Sequence, residues 1–168
     1  MCISCYTSRM ITTIISDFSR VLLFPTDNSY SGSLNDLHKK LTKQSGDDYD
    51  FFEHFQMNEE LFALYKNLNG KYPIYLFTTD TIQERAEVRE LLDVVVADIF
   101  VAHHHNLKKN QADAYLFIAN KLQKMPQTFL YIDDREENVK AAQEAGMSAI
   151  QYKNNKQLQE ALAGLNIS

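Results

Sequence analysis

Apolar and polar positions alternate along this chain in two rhythms, and the switches between them mark its elements. Residues 11–16 form a β-branched-rich run that reads as a strand ending at Asp17. From Leu22 to about Asp50 the pattern dissolves into Ser, Asn, Asp, Gly and Lys, with Pro25 and Gly32 as breakers. Within it, Leu34, Leu37 and Leu41 fall at helical spacing. Leu61, Leu64, Tyr65 and Leu68 then make the apolar stripe of an amphipathic helix, which Gly70 stops. A second strand is expected over residues 74–78, and Thr81 with Glu84 has the spacing of a capping box opening a helix to about Leu92. A third strand falls in the second half of residues 94–102, followed by a helix marked by Tyr115, Ile118, Ala119 and Leu122. Residues 128–132 make a fourth strand, and Val139, Ala142 and Ala145 a helix that Gly146 ends. A short strand over 148–152 and a helix carrying Leu158, Ala161, Leu162 and Leu165 complete the series.

Strands that alternate with helices predict an α/β fold: a three-layer, Rossmann-like parallel sheet of five strands, covered on both faces through right-handed crossovers. Such sheets take their ligands beyond the carboxyl ends of the strands. The length of 168 residues suits one domain, and 45% hydrophobic with 23% charged residues is an ordinary globular composition. The net charge of −5 disfavours nucleic acid as a partner. The longest apolar stretch, residues 91–102, is too short to span a membrane and carries Asp93 and Asp98. Residues 1–10 read as a disordered leader, because the apolar run over 10–15 is too short for a signal peptide. Cys2 and Cys5 have no second pair with which to hold zinc and offer no disulfide framework, which points to a reducing, cytoplasmic location.

The predicted strand ends carry a coherent set of groups: Asp17, then Thr78 and Thr79, then the stretch leading to Lys109, then Asp133 and Asp134. Carboxylates at neighbouring strand ends can hold Mg²⁺, which prefers oxygen ligands. A hydroxyl and an ammonium beside them can bind phosphate oxygens and neutralise an anionic intermediate. A carboxylate free to attack can form an aspartyl-phosphate.

The ordered segments DFSRVL (17–22), Thr78-Thr79, Lys109 and IDDREENVKAAQEAGM (132–147) resemble the haloacid dehalogenase superfamily of hydrolases, in the branch whose cap follows the first strand. The resemblance covers about residues 11–163. It implies a core of 11–17 and 58–168, with 18–57 as a reduced helical cap. It implies Asp17 as nucleophile, Thr78 as phosphate-binding hydroxyl, Lys109 as the steadying cation, and Mg²⁺ held by Asp17, the Ser19 carbonyl and Asp134. Asp133 joins that acidic set, with Asn138 in support. The implied substrate is a small phosphorylated molecule; no feature identifies a protein partner.

The chain departs from the pattern at Ser19, where the phosphatases of the family place a second Asp that protonates the leaving group and activates water. Serine is a poor acid and a poor base near neutral pH. Arg20 and Asn106 stand where glycines are usual, and Asn110 where proline is. The leading expectation is therefore a Mg²⁺-dependent phosphatase, weakened most towards alkyl phosphates. The rivals are an impaired homologue that binds a phosphorylated ligand or a protein, and a 2-haloacid dehalogenase. Other candidates read as structure: His103, His104 and His105 as a partly exposed loop, Asp47, Asp48, Asp50 and Glu53 as a solvated cap surface, and Phe51, Phe52 and Phe55 as packing of cap on core.

Overall fold

The computed structural model describes residues 10–46 and 48–168, so the expectations for residues 1–9, Cys2 and Cys5 among them, and for Asp47 lie outside the described residues. Strand β1 (Thr13–Ser16) is followed by a two-stranded antiparallel ribbon, β2 (Leu23–Pro25) and β3 (Phe55–Met57). Between the two ribbon strands lie helices α1 (Leu34–Ser45) and α2 (Phe51–His54). After α3 (Glu59–Leu68), strands β4 (Ile74–Thr78), β5 (Asp98–Val101), β6 (Phe129–Asp133) and β7 (Ser148–Gln151) alternate with α4 (Ala86–Leu92), α5 (Ala112–Lys121), α6 (Glu136–Glu144) and α7 (Asn155–Gly164). The five-stranded sheet runs β5-β4-β1-β6-β7, parallel throughout, as the alternation predicts.

Strand periodicity sorts the core into two halves. Ile14, Leu76, Leu130 and Ile132 face one side and join Leu61, Tyr65, Leu68, Val88, Leu158 and Leu162 from α3, α4 and α7. Ile15, Phe77, Phe129 and Tyr131 face the other side and meet Tyr115, Ile118, Ala141 and Ala142 from α5 and α6. Every residue of β1 is buried, as both faces of a central parallel strand must be. No helix among the described residues is long and apolar enough to cross a membrane.

Three local differences separate structure from expectation. The capping box at Thr81 does not form: the Thr81 side chain caps nothing, and residues Ile82–Glu84 make a single 3₁₀ turn. Arg85 is extended, at φ −54° and ψ 133°. Its guanidinium donates to the Tyr49 carbonyl at 3.2 Å and lies 4.7 Å from the centre of the Tyr49 ring. This tertiary contact overrides local propensity, and the α-helix starts only at Ala86. The strand expected over 99–102 runs one residue earlier, since Ala102 opens the 3₁₀ turn Ala102–His105. The ribbon of β2 and β3 is additional to the helices expected in 18–57, and it brings the two ends of that segment together through the pairs Leu23↔Met57 and Pro25↔Phe55.

Arg20 and Asn106 both adopt the left-handed backbone that favours glycine, at φ 60° and 53°. At Arg20 the chain turns so tightly that Val21, Leu22 and Leu23 all direct their N–H groups to the Phe18 carbonyl. Asparagine tolerates this region better than arginine does.

Where the chain returns from the ribbon, Asn58 caps α3, its side-chain oxygen accepting from the Leu61 N–H at 3.2 Å. Its amide donates to the Val21 carbonyl at 3.0 Å, and Tyr152 and Asn155 surround it at 2.9 and 2.8 Å. Asn58→Ala removes a cap and leaves several polar groups unpaired. We expect it to lower stability by about 1–3 kcal/mol, read as a shift of the urea unfolding midpoint.

Candidate active site

Register brings the site together. Ser16 lies opposite Ile132, and the next residue, Asp17, donates its backbone N–H to the Ile132 carbonyl at 2.7 Å. The carboxyl ends of β1 and β6 therefore set Asp17 beside Asp133 and Asp134. From the loop before α5, Lys109 reaches in and places Nζ 2.7 Å from Oδ1 of Asp17 and 2.9 Å from Oδ2 of Asp133. The Lys109 backbone is held by Tyr115, whose hydroxyl donates to its carbonyl at 2.6 Å.

Asp133 is fully buried, and both of its oxygens are occupied. Asn138 donates to the two oxygens at 3.1 Å each, the Arg135 N–H donates to Oδ1 at 2.9 Å, and Oδ2 accepts from the Tyr131 hydroxyl as well as from Lys109. Burial works to raise its pKa, but Lys109 and these hydrogen bonds outweigh that and hold it below the usual carboxylate range. Asp17 is in the opposite condition: burial, then the Asp133 charge, push it up to about 7 against the pull of Lys109. Asp134 is raised by burial and by the Asp133 charge. For Lys109, burial disfavours the charge, yet Asp17 and Asp133 together raise its pKa. Beneath Asp17, Tyr65 donates to Oγ of Ser16 at 2.8 Å, and that hydroxyl donates to the Asp17 carbonyl at 2.8 Å.

These groups open into a cleft of about 680 Å³ whose wall includes Asp17, Ser19, Arg20, Thr79, Lys109 and Asp134. Thr78, assigned from the resemblance, is buried at the end of β4 and donates to the Asp80 carbonyl at 3.0 Å; its neighbour Thr79 faces the cleft. The three histidines stay outside. His104 lies 3.7 Å from Glu84 and His105 packs against Phe117 with ring centres 4.7 Å apart. Phe51 and Phe55 stack in the core at 4.6 Å, and Asp50 caps α2, so neither group lines the cleft.

As to a metal, Asp17, Asp133 and Asp134 offer oxygens that all lie within 4.8 Å of one another, the one such group among the described residues. Three clustered carboxylates match the hard-oxygen preference of Mg²⁺. With Asp133 saturated by donors, Asp17 and Asp134 are the two that remain open to a cation. The Ser19 carbonyl accepts no backbone hydrogen bond from the described residues.

A model of the haloacid dehalogenase-like hydrolases matches residues 30–146, which takes in Thr78, Lys109, Asp133 and Asp134 and begins beyond Asp17. The chain belongs to that family. Solved structures agree on the fold. A wild-type family enzyme of Bacteroides thetaiotaomicron, in complex with magnesium and inorganic phosphate, is 14% identical, with 88% of this chain and 98% of that one covered at a TM-score of 0.64. A predicted hydrolase of the same family from Porphyromonas gingivalis is 16% identical over 95% and 99% of the two chains, at 0.64. A hydrolase from Streptococcus pneumoniae is 16% identical over 91% and 98%, at 0.63. No curated protein matches the chain.

Sequence reasoning placed Thr79 among the strand-end groups but missed Tyr131, Tyr65 and Ser16. Tyr131 had a signal, since it precedes Asp133 by two residues on a strand and so faces the same side. Tyr65 had none, because its stripe reads only as core.

The raised Asp17 carboxyl has a consequence for stability. Unfolded, it loses its proton near 3.8; folded, near 7. Between these values the folded chain holds the extra proton, so rising pH weakens folding across that window. Asp17→Asn cannot titrate. The stability difference between variant and parent should therefore move in the variant's favour from pH 4 to pH 7, measured by urea denaturation in chelator. An unchanged difference would show that Asp17 keeps an ordinary pKa.

Proposed function

We propose that this family member is a Mg²⁺-dependent phosphatase that acts through an aspartyl-phosphate on Asp17. The observation that carries the reading is a buried ammonium, Lys109, held between Asp17 and Asp133 at the carboxyl end of the central strands, with Asp134 beside them. An oxygen of Asp17 attacks phosphorus as the bond to the leaving oxygen breaks, and that oxygen departs with the bonding pair. Water then attacks the phosphorus of the acyl phosphate, which frees inorganic phosphate and restores the carboxylate. Lys109 and the hydroxyl of Thr78 hold the phosphoryl oxygens, Thr78 turning away from the Asp80 carbonyl to do so. Asp17, Asp134 and the Ser19 carbonyl would hold Mg²⁺, which would supply positive charge to the transferring group. Asp133 acts as the brace of this group.

Ser19 shapes the substrate range. It can neither protonate a leaving alkoxide nor deprotonate water effectively, and acid–base groups contribute about 10²–10⁴-fold. Small acyl and aryl phosphates, which leave as stable anions, suit this site best. The segment 18–57 serves as a reduced cap over the cleft, and the chain works in the cytoplasm. Support for the metal and the phosphoryl group comes from the Bacteroides enzyme, whose structure holds both. Ser19 also favours a second reading, an impaired homologue that binds a phosphorylated ligand or a protein. Dehalogenation ranks below both, because Asp134 would then have no metal to hold.

Purified protein with Mg²⁺ should hydrolyse acetyl phosphate and p-nitrophenyl phosphate. EDTA or Asp17→Asn should abolish turnover, and Ser19→Asp should raise the rate on alkyl phosphates by about a hundredfold. No turnover on a broad panel, combined with no measurable Mg²⁺ binding, favours the impaired homologue. Halide release from a 2-haloacid would establish the dehalogenase.

A further inference from the structure

Arg20 occupies an improbable place. It takes a left-handed backbone, φ 60°, that disfavours any residue with a Cβ, and its half-buried side chain lies in the wall of the cleft. Two carbonyls brace it from the cap segment: Nη2 donates to Tyr30 O at 2.9 Å and to Gly32 O at 2.8 Å. Nε and Nη1 bond to no described residue, and no described carboxylate pairs with the guanidinium. Yet carboxylates share the same wall. Asp17 is engaged by Lys109, and Glu137 by Arg135 at 3.0 Å. In the reading above, Asp134 goes to the metal. Lys108, exposed on the same wall, also has no ion-pair partner among the described residues.

A half-buried cation with fixed geometry and no counter-ion is a site prepared for an anion. The guanidinium presents a planar fork whose donors match carboxylate or phosphate oxygens in pairs. Lys109 and the hydroxyl serve the transferring phosphoryl group, so this second cation answers a charge elsewhere on the substrate. The residue sits three positions after Asp17 and lines the same cleft, so a substrate that places its phosphoryl group at Asp17 has its remaining half within that cleft.

We propose that Arg20 is a specificity-determining residue that binds a second anionic group on the leaving half of the substrate, a carboxylate or a further phosphate, with Lys108 adding charge. The inference rests on the phosphoryl-site reading above and narrows it to phosphorylated compounds that carry another anion.

The test is calorimetric binding in Mg²⁺ to the parent and to Arg20→Gly, the residue that suits φ 60° and so keeps the fold. The probes are phosphoglycolate, ethyl phosphate, a sugar bisphosphate with its matching monophosphate, and inorganic phosphate. The parent should prefer the probe with the second anion by roughly tenfold or more. In Arg20→Gly the ratio should fall to about one. A preference for phosphoglycolate alone identifies a carboxylate, and one for the bisphosphate alone a phosphate. A ratio of one in the parent, or a ratio that survives the substitution, overturns the proposal even though inorganic phosphate binds. Failure of inorganic phosphate itself to bind overturns the phosphoryl site, and this inference with it. Loosening of the cap through the lost contacts to Tyr30 and Gly32 would weaken both members of a probe pair alike and leave the ratio intact.

Discussion

The structure of this site depends on one buried cation. Two strands of a parallel sheet end side by side, and their register forces Asp17 against Asp133, both buried, at the floor of the cleft. Two carboxylates there repel each other, and neither could be buried as an anion alone. Lys109 resolves the conflict by sitting between them at 2.7 and 2.9 Å. The two acids are nonetheless unequal. Asp133 collects amide, hydroxyl and backbone donors and stays ionised, whereas Asp17 has Lys109 alone among side-chain donors and is pushed up to about 7. That inequality is geometric as well: the saturated acid fixes Lys109 in space, and the other keeps Oδ2 clear of side-chain donors among the described residues.

Because Lys109 comes from a loop and not from a strand, its position has to be secured from outside the sheet. Tyr115, six residues on in α5, closes on its carbonyl, and the centre of the Phe77 ring lies 5.4 Å from its ammonium. Tyr131, from the central sheet, touches both partners: its hydroxyl reaches Asp133 and its ring faces Tyr115. The aromatic half of the core is thus the foundation of the polar site. Residues 18–57 are fastened to the same frame by three separate contacts: Asn58 to the Val21 carbonyl, Arg85 against Tyr49, and an ion pair of Lys39 with Asp80 just past the Thr78-Thr79 strand end.

How much of this the sequence displayed follows from the range of the forces involved. Elements set by local periodicity were legible: five parallel strands, and the helices between and after them. So was the family, through motifs that lie in short contiguous runs. What failed depended on distant partners. Thr81 and Glu84 have the right spacing for a capping box, yet Arg85 is drawn to Tyr49, 36 residues away, and the helix starts late. The ribbon of β2 and β3 pairs residues thirty or more positions apart with only three residues to a strand, too short for any period to register. Arg20 could be flagged as a departure from glycine, but its bracing by Tyr30 and Gly32 belongs to the folded chain alone.

Ser19 and Arg20 make more sense together than apart. One side chain cannot give up a proton in the neutral range, and the other never loses its own. The part of the cleft they form therefore offers fixed positive charge and hydrogen bonds but no proton that moves. On the phosphatase reading proposed above, a leaving group that departs there would be stabilised as an anion, not neutralised, which selects for leaving groups already stable in that form. The carboxyls of the site that hold a proton more readily than usual are instead Asp17 and Asp134, both raised by burial and by the Asp133 charge. On the same proposed reading, the pH dependence of the reaction would come from these carboxyls and not from a group beside the leaving atom.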